Sequence, residues 1–429
     1  MDTVLHISLW GQDVAAVVWN KENAYATLEF YESFAGRGWD IAPLTMPLDG
    51  IFGGDRIFSF PSHRGKTFKG LPGLLADSLP DDYGNRVLDA WFASKGISDF
   101  SPLDRLCYIG QRGMGALEYA PARHDKILDA SSMIEIEQLM ELAREVLNKR
   151  EAFCLDIQKG DKAVWDILKV GTSAGGAKPK AIIAFNEQTK EVRSGQVKAP
   201  EGFTYWLLKF DGVEDRKLRD NPKGIGRIEY AYYGMAKACG IQMMESRLLE
   251  DGPYAHFMTK RFDRTDSGEK LHSQTLCALA HFDRDERYAY EQIFQVMRRL
   301  HLPYPDMEQM FRRMVFNVVA RNHDDHTKNH SFIMSREGAW SLAPAYDLCY
   351  AYAPSGKWTS QHQLSLHNKR DDFSAEDLYE VAKNMGIRKG PELVQEMVAV
   401  VSQWPQYAKE AGVPEKQSRQ IQNHLRLLV

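Results

Sequence analysis

Residues 320–331 read Ala-Arg-Asn-His-Asp-Asp-His-Thr-Lys-Asn-His-Ser, and this polar stretch decides how the rest of the chain is interpreted. It follows an apolar, helix-forming run at 310–319 and precedes the short apolar run 332–334. A helix that ends in a polar loop backed by a strand can hold reactive side chains on a rigid base. We therefore expect a functional loop here, with a solvated polar turn as the simpler alternative.

Two chemistries are compatible with this stretch. His323, His326 and His330 would share one face if the helix continued, which would suit a metal-dependent hydrolase. Asp324 and Asn329 instead have the five-residue spacing of a phosphoryl-transfer loop. In such a loop the aspartate accepts the proton of the substrate hydroxyl and the asparagine binds magnesium. The other segments of the chain must distinguish the two.

The composition is that of a globular protein with several subdomains. The chain has 429 residues, of which 44% are hydrophobic and 26% charged, and its net charge is −4. Such a length favours more than one core, and the small net charge gives no general attraction to nucleic acid or anionic membranes. Because the sequence shows no secretion signal and no bilayer-long apolar run, and its five cysteines are scattered, we expect a cytoplasmic protein.

The order of strand and helix patterns predicts three parts. Short alternating runs punctuated by glycines predict a β-rich N-terminal subdomain over 1–126. Mixed patterns predict a lobe of strands and helices over 127–262, and longer amphipathic patterns predict a mainly helical C-terminal lobe over 263–429. The expected fold class is therefore α+β, with a kinase-like two-lobe architecture.

Local signals predict the ends of several elements. Ser101 followed by Pro102 predicts an N-cap and the first turn of a helix. An amphipathic helix is expected over 87–93. Asp251-Gly252-Pro253 predicts the turn of a hairpin.

Residues 171–180 form a glycine-rich segment ahead of an apolar strand and read Gly-Thr-Ser-Ala-Gly-Gly-Ala-Lys-Pro-Lys. Small residues let successive backbone N–H groups face a phosphate, and hydroxyls with lysines can complete such an anion site. The segment does not match the Walker pattern and precedes a strand, so a kinase-like covering loop is the better comparison. A glycine-rich hairpin turn explains it about as well.

Two further side chains extend the phosphoryl-transfer interpretation. Lys209 lies in the apolar run 205–210, so it either reaches out from a sheet edge or binds a phosphate. Glu229, near the start of the next helix, could pair with Lys209 or simply favour the helix dipole. Asp347 follows a short strand after the polar stretch, where a kinase places a magnesium ligand, although an Asx-turn is also common there.

Taken in this order, the motifs resemble the HipA family of bacterial serine/threonine kinases, the toxin members of HipBA-type toxin–antitoxin modules. The similarity runs along nearly the full chain, although the first 70 residues match only loosely. The matching segments are Asp77–Arg86, Pro102–Ala116, Gly171–Lys180, Lys260–Arg264, Asp324–Asn329, Tyr346-Asp347 and Ser365–Phe373.

The resemblance implies a role for each matching site residue. It implies that Asp324 is the catalytic base and that Asn329 and Asp347 hold Mg²⁺. It also implies that Ser173, or its neighbour Thr172, is autophosphorylated, which would silence the enzyme by placing negative charge where ATP phosphates bind. The implied ATP contacts are Ser173, Gly175, Gly176, Lys180, Lys209 and Lys328.

The same resemblance implies partners. These are a protein substrate such as an aminoacyl-tRNA synthetase or another translation component, and a small HipB-like antitoxin through which DNA is contacted indirectly, with no membrane partner. Two residues depart from the family member compared: Lys260 replaces a glutamate, and Asp325 replaces a small uncharged residue. They keep open a catalytically inactive, kinase-shaped binding module, beside the metal-dependent hydrolase of His323, His326 and His330.

Overall fold

The computed structural model describes residues 4–48, 56–124, 126–148, 162–171, 179–213 and 224–427. The chain divides into two compact units. Unit 1 comprises residues 1–223, 249–273 and 335–338, and unit 2 comprises residues 224–248, 274–334 and 339–429. The boundaries expected near residues 126 and 262 stay predictions.

Unit 1 begins with an antiparallel sheet, which confirms the β-rich start. The strands lie in the order β4-β3-β2-β1-β5. In β1, Leu5, Ile7 and Leu9 are buried while the residues between them are more exposed, because alternate side chains of a strand face opposite sides. The strands are β1 (Leu5–Leu9), β2 (Gln12–Asn20), β3 (Tyr25–Phe30), β4 (Ile57–Ser59) and β5 (Leu117–Ala120).

The helices of unit 1 show how local caps set their starts. Ser101 forms a capping box with Asp104 at the start of α4, as the sequence predicts. The helix expected from residue 87 begins five residues earlier, because the Asp81 side chain accepts a hydrogen bond from the Gly84 N–H at 2.5 Å and caps it. The helices are α1 (Glu32–Ala35), α2 (Gly73–Ala76), α3 (Asp82–Ser94), α4 (Pro102–Ile109), α5 (Ile136–Asn148) and α6 (Lys162–Val170).

A second antiparallel sheet contains the strand that follows the glycine-rich segment. Its strands are β6 (Lys180–Asn186), β7 (Val192–Ser194), β8 (Phe203–Lys209), β9 (Ser246–Asp251) and β10 (Tyr254–Lys260), and they lie in the order β7-β6-β8-β10-β9. Strand β6 is buried on both faces. Ala181 and Ile183 join a core with α3, α5 and α6, whereas Ala184 packs with Phe203 and Tyr205. The hairpin predicted around Gly252 is present between β9 and β10.

A buried ion-pair cluster joins distant segments of unit 1. Asp263 accepts hydrogen bonds from Arg261 at 2.8 and 2.7 Å, from Arg264 at 2.8 Å and from the Gly115 N–H at 2.7 Å. Burial alone would raise the pKa of Asp263, but the two guanidinium groups outweigh it and the pKa is lowered. This part of the 260–264 segment is therefore structural.

Unit 2 is mainly helical, as expected for the C-terminal part. Helix α10 is its centre, since seven apolar residues between Met310 and Val319 are buried, and it is followed by the antiparallel pair β13 and β14. The helices are α7 (Ile225–Ala238), α8 (Leu276–Ala280), α9 (Tyr290–Arg299), α10 (Tyr304–Val319), α11 (Ala375–Met385), α12 (Gly390–Ser402), α13 (Trp404–Glu410) and α14 (Glu415–His424). The remaining strands are β11 (His272–Thr275), β12 (Tyr288–Ala289), β13 (Ser331–Met334), β14 (Trp340–Leu342) and β15 (Leu364–Ser365).

Among the described helices, none combines the length and the apolar composition needed to cross a bilayer.

Candidate functional site

The polar loop of residues 320–331 begins where α10 ends. The chain leaves the helix at Ala320, whose carbonyl accepts a hydrogen bond from the Tyr232 hydroxyl at 2.6 Å. Arg321 then adopts a positive φ of 59°, which breaks the helical path. The loop contains a short 3₁₀ helix, Thr327–Asn329, and runs into β13 at Ser331. A rigid helix and a strand therefore hold the loop from both sides.

Asp324 and Asn329 are joined by a direct hydrogen bond within the loop. The Asn329 side-chain Nδ2 donates to the Asp324 backbone carbonyl at 2.6 Å. This bond assigns the amide nitrogen to the loop and leaves the carboxamide oxygen as the atom able to bind a cation. The Asp324 carboxylate remains 48% exposed, so a substrate hydroxyl could reach it.

His326 supports the loop as a neutral ring. Burial, reinforced by the charges of Arg284 and Lys328, lowers its pKa to about 3, against an opposing effect of Asp347. Its Nδ1 accepts a hydrogen bond from the Lys328 N–H at 3.2 Å, so in the neutral ring the proton must be on Nε2. That nitrogen lies 3.8 Å from the Asp324 carboxylate. At this distance the ring lies next to the carboxylate without a direct hydrogen bond to it, and as a neutral group it does not add a positive charge there.

Asp347 is held beside this loop by its own backbone. The residue has a positive φ of 54°, and its carbonyl accepts a hydrogen bond from Asn322 Nδ2 at 3.2 Å. The preceding Tyr346 donates its hydroxyl proton to the Lys328 carbonyl at 2.7 Å and lies 2.6 Å from the Ser331 hydroxyl. The sequence analysis missed Asn322, although its position two residues before Asp324 was visible. These contacts hold the Tyr346-Asp347 segment next to the loop that carries Asp324 and Asn329.

Asp325 has a structural role that the sequence left unexplained. Its side chain is fully buried, and its Oδ2 atom accepts from the Tyr290 hydroxyl at 2.7 Å and from His362 Nδ1 at 2.9 Å. Its Oδ1 atom accepts from the Gln363 N–H at 2.8 Å. Burial alone would raise the pKa of Asp325, but His362 and these hydrogen bonds lower it. Both oxygens are therefore engaged in holding the 362–364 segment, and Asp325 is not a second catalytic carboxylate.

The hydrolase arrangement of three histidines is not formed, because α10 ends before them. His323 packs against His362 with the rings tilted by 34° and their centroids 4.0 Å apart, and its pKa is lowered to about 3, mainly by burial. His330 packs edge-on against Tyr290, and burial lowers its pKa to about 4. Across the parts of the chain that the structure describes, no three His, Cys, Asp or Glu side chains are grouped to hold a metal ion. The metal-hydrolase interpretation is therefore wrong in its geometry.

The ATP contacts expected from the glycine-rich segment are only partly within the described residues. Thr172, Ser173, Gly175 and Gly176 lie outside them. Lys180 lies at the start of β6 and is buried, with its Nζ 3.6 Å from the Asp81 carboxylate. The sequence analysis missed Asp81 as a partner of Lys180, although its position before an amphipathic helix marks it as a cap.

Lys209 lies at the end of β8, half-buried, with its Nζ 5.8 Å from the centroid of the Phe257 ring. The pairing expected between Lys209 and Glu229 stays a prediction, since they belong to different units. Lys260, one of the two departures, lies 3.5 Å from Asp266 and 5.8 Å from the centroid of the Trp206 ring. Its charge is therefore satisfied locally within unit 1.

The donor set of unit 2 fits a nucleotide-bound magnesium ion. Mg²⁺ prefers oxygen ligands and is commonly held by one or two protein groups together with phosphates and water. The Asn329 carboxamide oxygen and the Asp347 carboxylate meet that requirement. An isolated protein cage of three or more ligands is not needed for this chemistry.

Two family descriptions match the sequence. The HipA N-terminal domain matches residues 5–120, and the HipA-like C-terminal domain matches residues 172–422, which is more than half of the chain. The fold and the polar loop thus define a protein with the kinase-like fold of HipA. The chain belongs to the HipA family.

Individual relatives agree with this assignment. The chain is 22% identical over 333 residues to the serine/threonine-protein kinase toxin HipA of Shewanella oneidensis, which covers 72% of this chain and 66% of that protein. It is 23% identical over 206 residues to a putative kinase of Haemophilus influenzae, covering 39% of this chain and 60% of that protein. The chain therefore spans about two thirds or less of the length of these curated relatives.

A solved structure shows the same fold. The chain matches the Shewanella oneidensis HipA, determined with HipB and its operator DNA, with a TM-score of 0.67 and 18% identity. The match covers 99% of this chain and 96% of that one. At this identity the similarity supports the fold, and the α+β fold class expected from the sequence is confirmed.

Proposed function

We propose that this protein is an ATP- and Mg²⁺-dependent protein serine/threonine kinase of the HipA type. The observation that carries the proposal is the hydrogen bond from Asn329 to the Asp324 carbonyl, together with the tie from Asn322 to Asp347. These bonds support an assignment in which the partly exposed Asp324 carboxylate is the base and the Asn329 and Asp347 oxygens are the magnesium ligands. The names of the relatives as kinases support the same reaction class.

Each residue has a defined part in this reaction. Asp324 accepts the proton of a serine or threonine hydroxyl as the oxygen bonds to the γ-phosphorus and the bond to the β-phosphate oxygen breaks, so that ADP leaves. Asn329 and Asp347 would hold Mg²⁺, which when bound would offset the negative charge of the phosphates. Lys328 is the proposed phosphate contact of unit 2, and Lys180 and Lys209 are those of unit 1. The neutral His326 ring lies beside the Asp324 carboxylate, with Nε2 3.8 Å away.

Partners follow from the relatives. The Shewanella protein is named a toxin, and its structure contains HipB and operator DNA. By analogy, we infer that this chain binds a HipB-like antitoxin, contacts DNA through it and acts in the cytoplasm on a protein substrate. The substrate class is a translation component such as an aminoacyl-tRNA synthetase.

Autophosphorylation in the glycine-rich segment is part of the proposal. A phosphate on Ser173, or on Thr172, would add about −1.5 to −2 charges among the groups that bind ATP phosphates. Repulsion between the modified side chain and the nucleotide would then switch the kinase off.

The Asp324→Asn variant tests the proposed function. It should lose label transfer from radiolabelled ATP to protein while still binding Mg-ATP in a calorimetric titration, because only the proton acceptor is removed. Asp285→Asn is the matched control, since Asp285 is an exposed aspartate of the same unit. Unchanged labelling by Asp324→Asn would refute the assignment of the base. If the parent chain neither binds Mg-ATP nor becomes labelled, the kinase proposal fails and a catalytically inactive binding module remains.

A further inference from the structure

A continuous chain of buried hydrogen bonds runs behind the site in unit 2. Asn322 Nδ2 donates both to the Asp347 carbonyl at 3.2 Å and to Asn317 Oδ1 at 2.9 Å. Asn317 Nδ2 donates to the Tyr290 hydroxyl at 2.9 Å, and that hydroxyl donates to Asp325 Oδ2 at 2.7 Å. The chain therefore starts at the residue assigned to magnesium and ends at the neighbour of the assigned base.

The direction of every bond in this chain is determined. The amide nitrogens of Asn322 and Asn317 donate. Asn317 and Tyr290 each accept one hydrogen bond through oxygen and donate the next one. The chain ends at the Asp325 carboxylate, which also accepts from His362 Nδ1 at 2.9 Å. From Asn322 to Asp325 the donors point in one direction, so they polarise one another and the terminal anion strengthens the series, whereas the bond to Asp347 leaves the same amide nitrogen in the other direction. Burial, reinforced by Asp325, raises the pKa of Tyr290 well above its usual value, so its hydroxyl stays protonated and able to donate.

Burial makes this chain sensitive to the loss of any member. Tyr290, Asn317, Asn322 and Asp325 are at most 2% exposed. Water cannot readily replace a missing partner at such positions, so a deleted group leaves its neighbour unsatisfied. The members also come from separate elements, because Tyr290 begins α9, Asn317 lies in the last turn of α10 and Asn322 lies in the polar loop.

We propose that Tyr290, Asn317 and Asn322 are positioning residues that set the spacing between the base Asp324 and the magnesium ligand Asp347. The inference rests on the proposed kinase function. None of the three touches the reacting atoms. They act by joining the backbone of Asp347 to Asp325, which is covalently next to Asp324. Groups that orient metal ligands from behind typically affect metal affinity or activity by about 10–100-fold.

The Tyr290→Phe variant is the most selective test, because it removes one oxygen atom and keeps the ring. Rates of autophosphorylation with radiolabelled ATP would be measured on the full chain at a temperature well below its thermal midpoint. Binding of Mn²⁺ in the presence of a non-hydrolysable ATP analogue would be followed by electron paramagnetic resonance. We expect the rate to fall about 10–100-fold and the affinity for Mn²⁺ to weaken, with little change in affinity for the analogue alone.

Tyr288→Phe is the matched control. The Tyr288 hydroxyl donates to Glu286 at 3.1 Å and accepts from the Asp283 N–H at 3.0 Å, outside the buried chain. This variant should retain the parental rate and Mn²⁺ affinity. Asn322→Ser is a second test, which can be made even if Tyr290→Phe does not fold. It directly removes the hydrogen bond to the Asp347 carbonyl.

The double variant Tyr290→Phe/Asn322→Ser distinguishes a shared positioning role from an unspecific loss of stability. If both residues act through one chain, the double variant should be hardly slower than the slower single variant. The inference would be overturned if folded Tyr290→Phe or Asn322→Ser kept the parental rate and Mn²⁺ affinity. It would also be overturned if the losses of the two single variants multiplied in the double variant. A parent that neither labels itself nor binds Mn²⁺ with the analogue would instead contradict the proposed function on which the inference rests.

Discussion

Lys180 lies directly opposite Lys209 in the antiparallel pairing of β6 with β8. Residues paired in this way lie on the same face of a sheet with their Cβ atoms about 4.5–5.5 Å apart, and like charges so placed destabilise the sheet. Asp81 can compensate one of the two charges only when it is ionised, since its carboxyl group lies 3.6 Å from Lys180 Nζ but burial raises its pKa to about 7. A like-charge pair at the end of the predicted phosphate loop is the arrangement that a polyphosphate would stabilise.

Replacement of Lys209 by methionine should therefore weaken nucleotide binding more than it affects folding. Loss of one charged contact to phosphate is expected to reduce the affinity for Mg-ATP roughly 10-fold or more. The thermal midpoint should stay the same or rise, because repulsion from Lys180 is removed. Calorimetric titration and thermal unfolding measure the two effects. The control is Lys190→Met in the β6–β7 hairpin, and equal affinities in both variants would exclude a phosphate contact by Lys209.

Asp81 should make stability depend on pH. Burial, opposed by Lys180, raises its pKa from 3.8 to about 7. Between about pH 4 and 7 the unfolded chain releases this proton and the folded chain keeps it, so this group lowers the free energy of unfolding as pH rises. Asp81→Asn keeps a good helix cap but cannot titrate. Its thermal midpoint relative to the parent should increase from pH 4.5 to pH 8.

The exposed aspartate Asp99 provides the control for this measurement. Asp99→Asn should follow the parent across the same pH range, because substitutions at exposed side chains away from buried polar groups usually have small effects on stability. If Asp81→Asn and the parent differ by a constant amount at every pH, Asp81 does not retain its proton in the folded protein.

Asp263→Asn should destabilise unit 1 strongly. The substitution leaves Arg261 and Arg264 buried without their shared counter-charge, and breaking a buried pair in this way typically costs about 3–5 kcal/mol. Urea unfolding followed by tryptophan fluorescence would measure the loss. Asp266→Asn, at an exposed carboxylate three residues away, should stay within about 0.5 kcal/mol of the parent. Similar midpoints for the two variants would show that the cluster does not stabilise the unit.

Ser173→Glu should mimic the charge of an autophosphorylated loop. A fixed negative charge among the expected phosphate contacts is predicted to lower the affinity for Mg-ATP and to slow label transfer. Ser267→Glu, at an exposed turn of unit 1, is the control and should bind Mg-ATP like the parent. Mass spectrometry of the parent after incubation with Mg-ATP would locate the modified residue. Full affinity in Ser173→Glu, or a phosphate found elsewhere than residues 172 and 173, would contradict this mechanism of silencing.

Much of the architecture could be predicted because it depends on neighbours in the sequence. Alternation along β1 and the Ser101 cap of α4 are local properties, and both are present in the structure. The spacing of Asp324 and Asn329 singled out both residues, but the hydrogen bond from the Asn329 side chain to the Asp324 carbonyl was found only in the structure. The start of α3 was placed too late, because the cap at Asp81 precedes the apolar pattern by several residues.

The sequence by itself determined the family, the order of elements and the identity of the loop that carries Asp324. Only the tertiary structure decided what Asp325 does, because its partners Tyr290 and His362 lie 35 and 37 residues away along the chain. The same holds for the pair of Asp81 and Lys180. Periodicity and motif spacing report on the faces of single elements. Buried polar groups, in contrast, form hydrogen bonds with groups on the elements that pack around them, and this packing exists only in the folded chain.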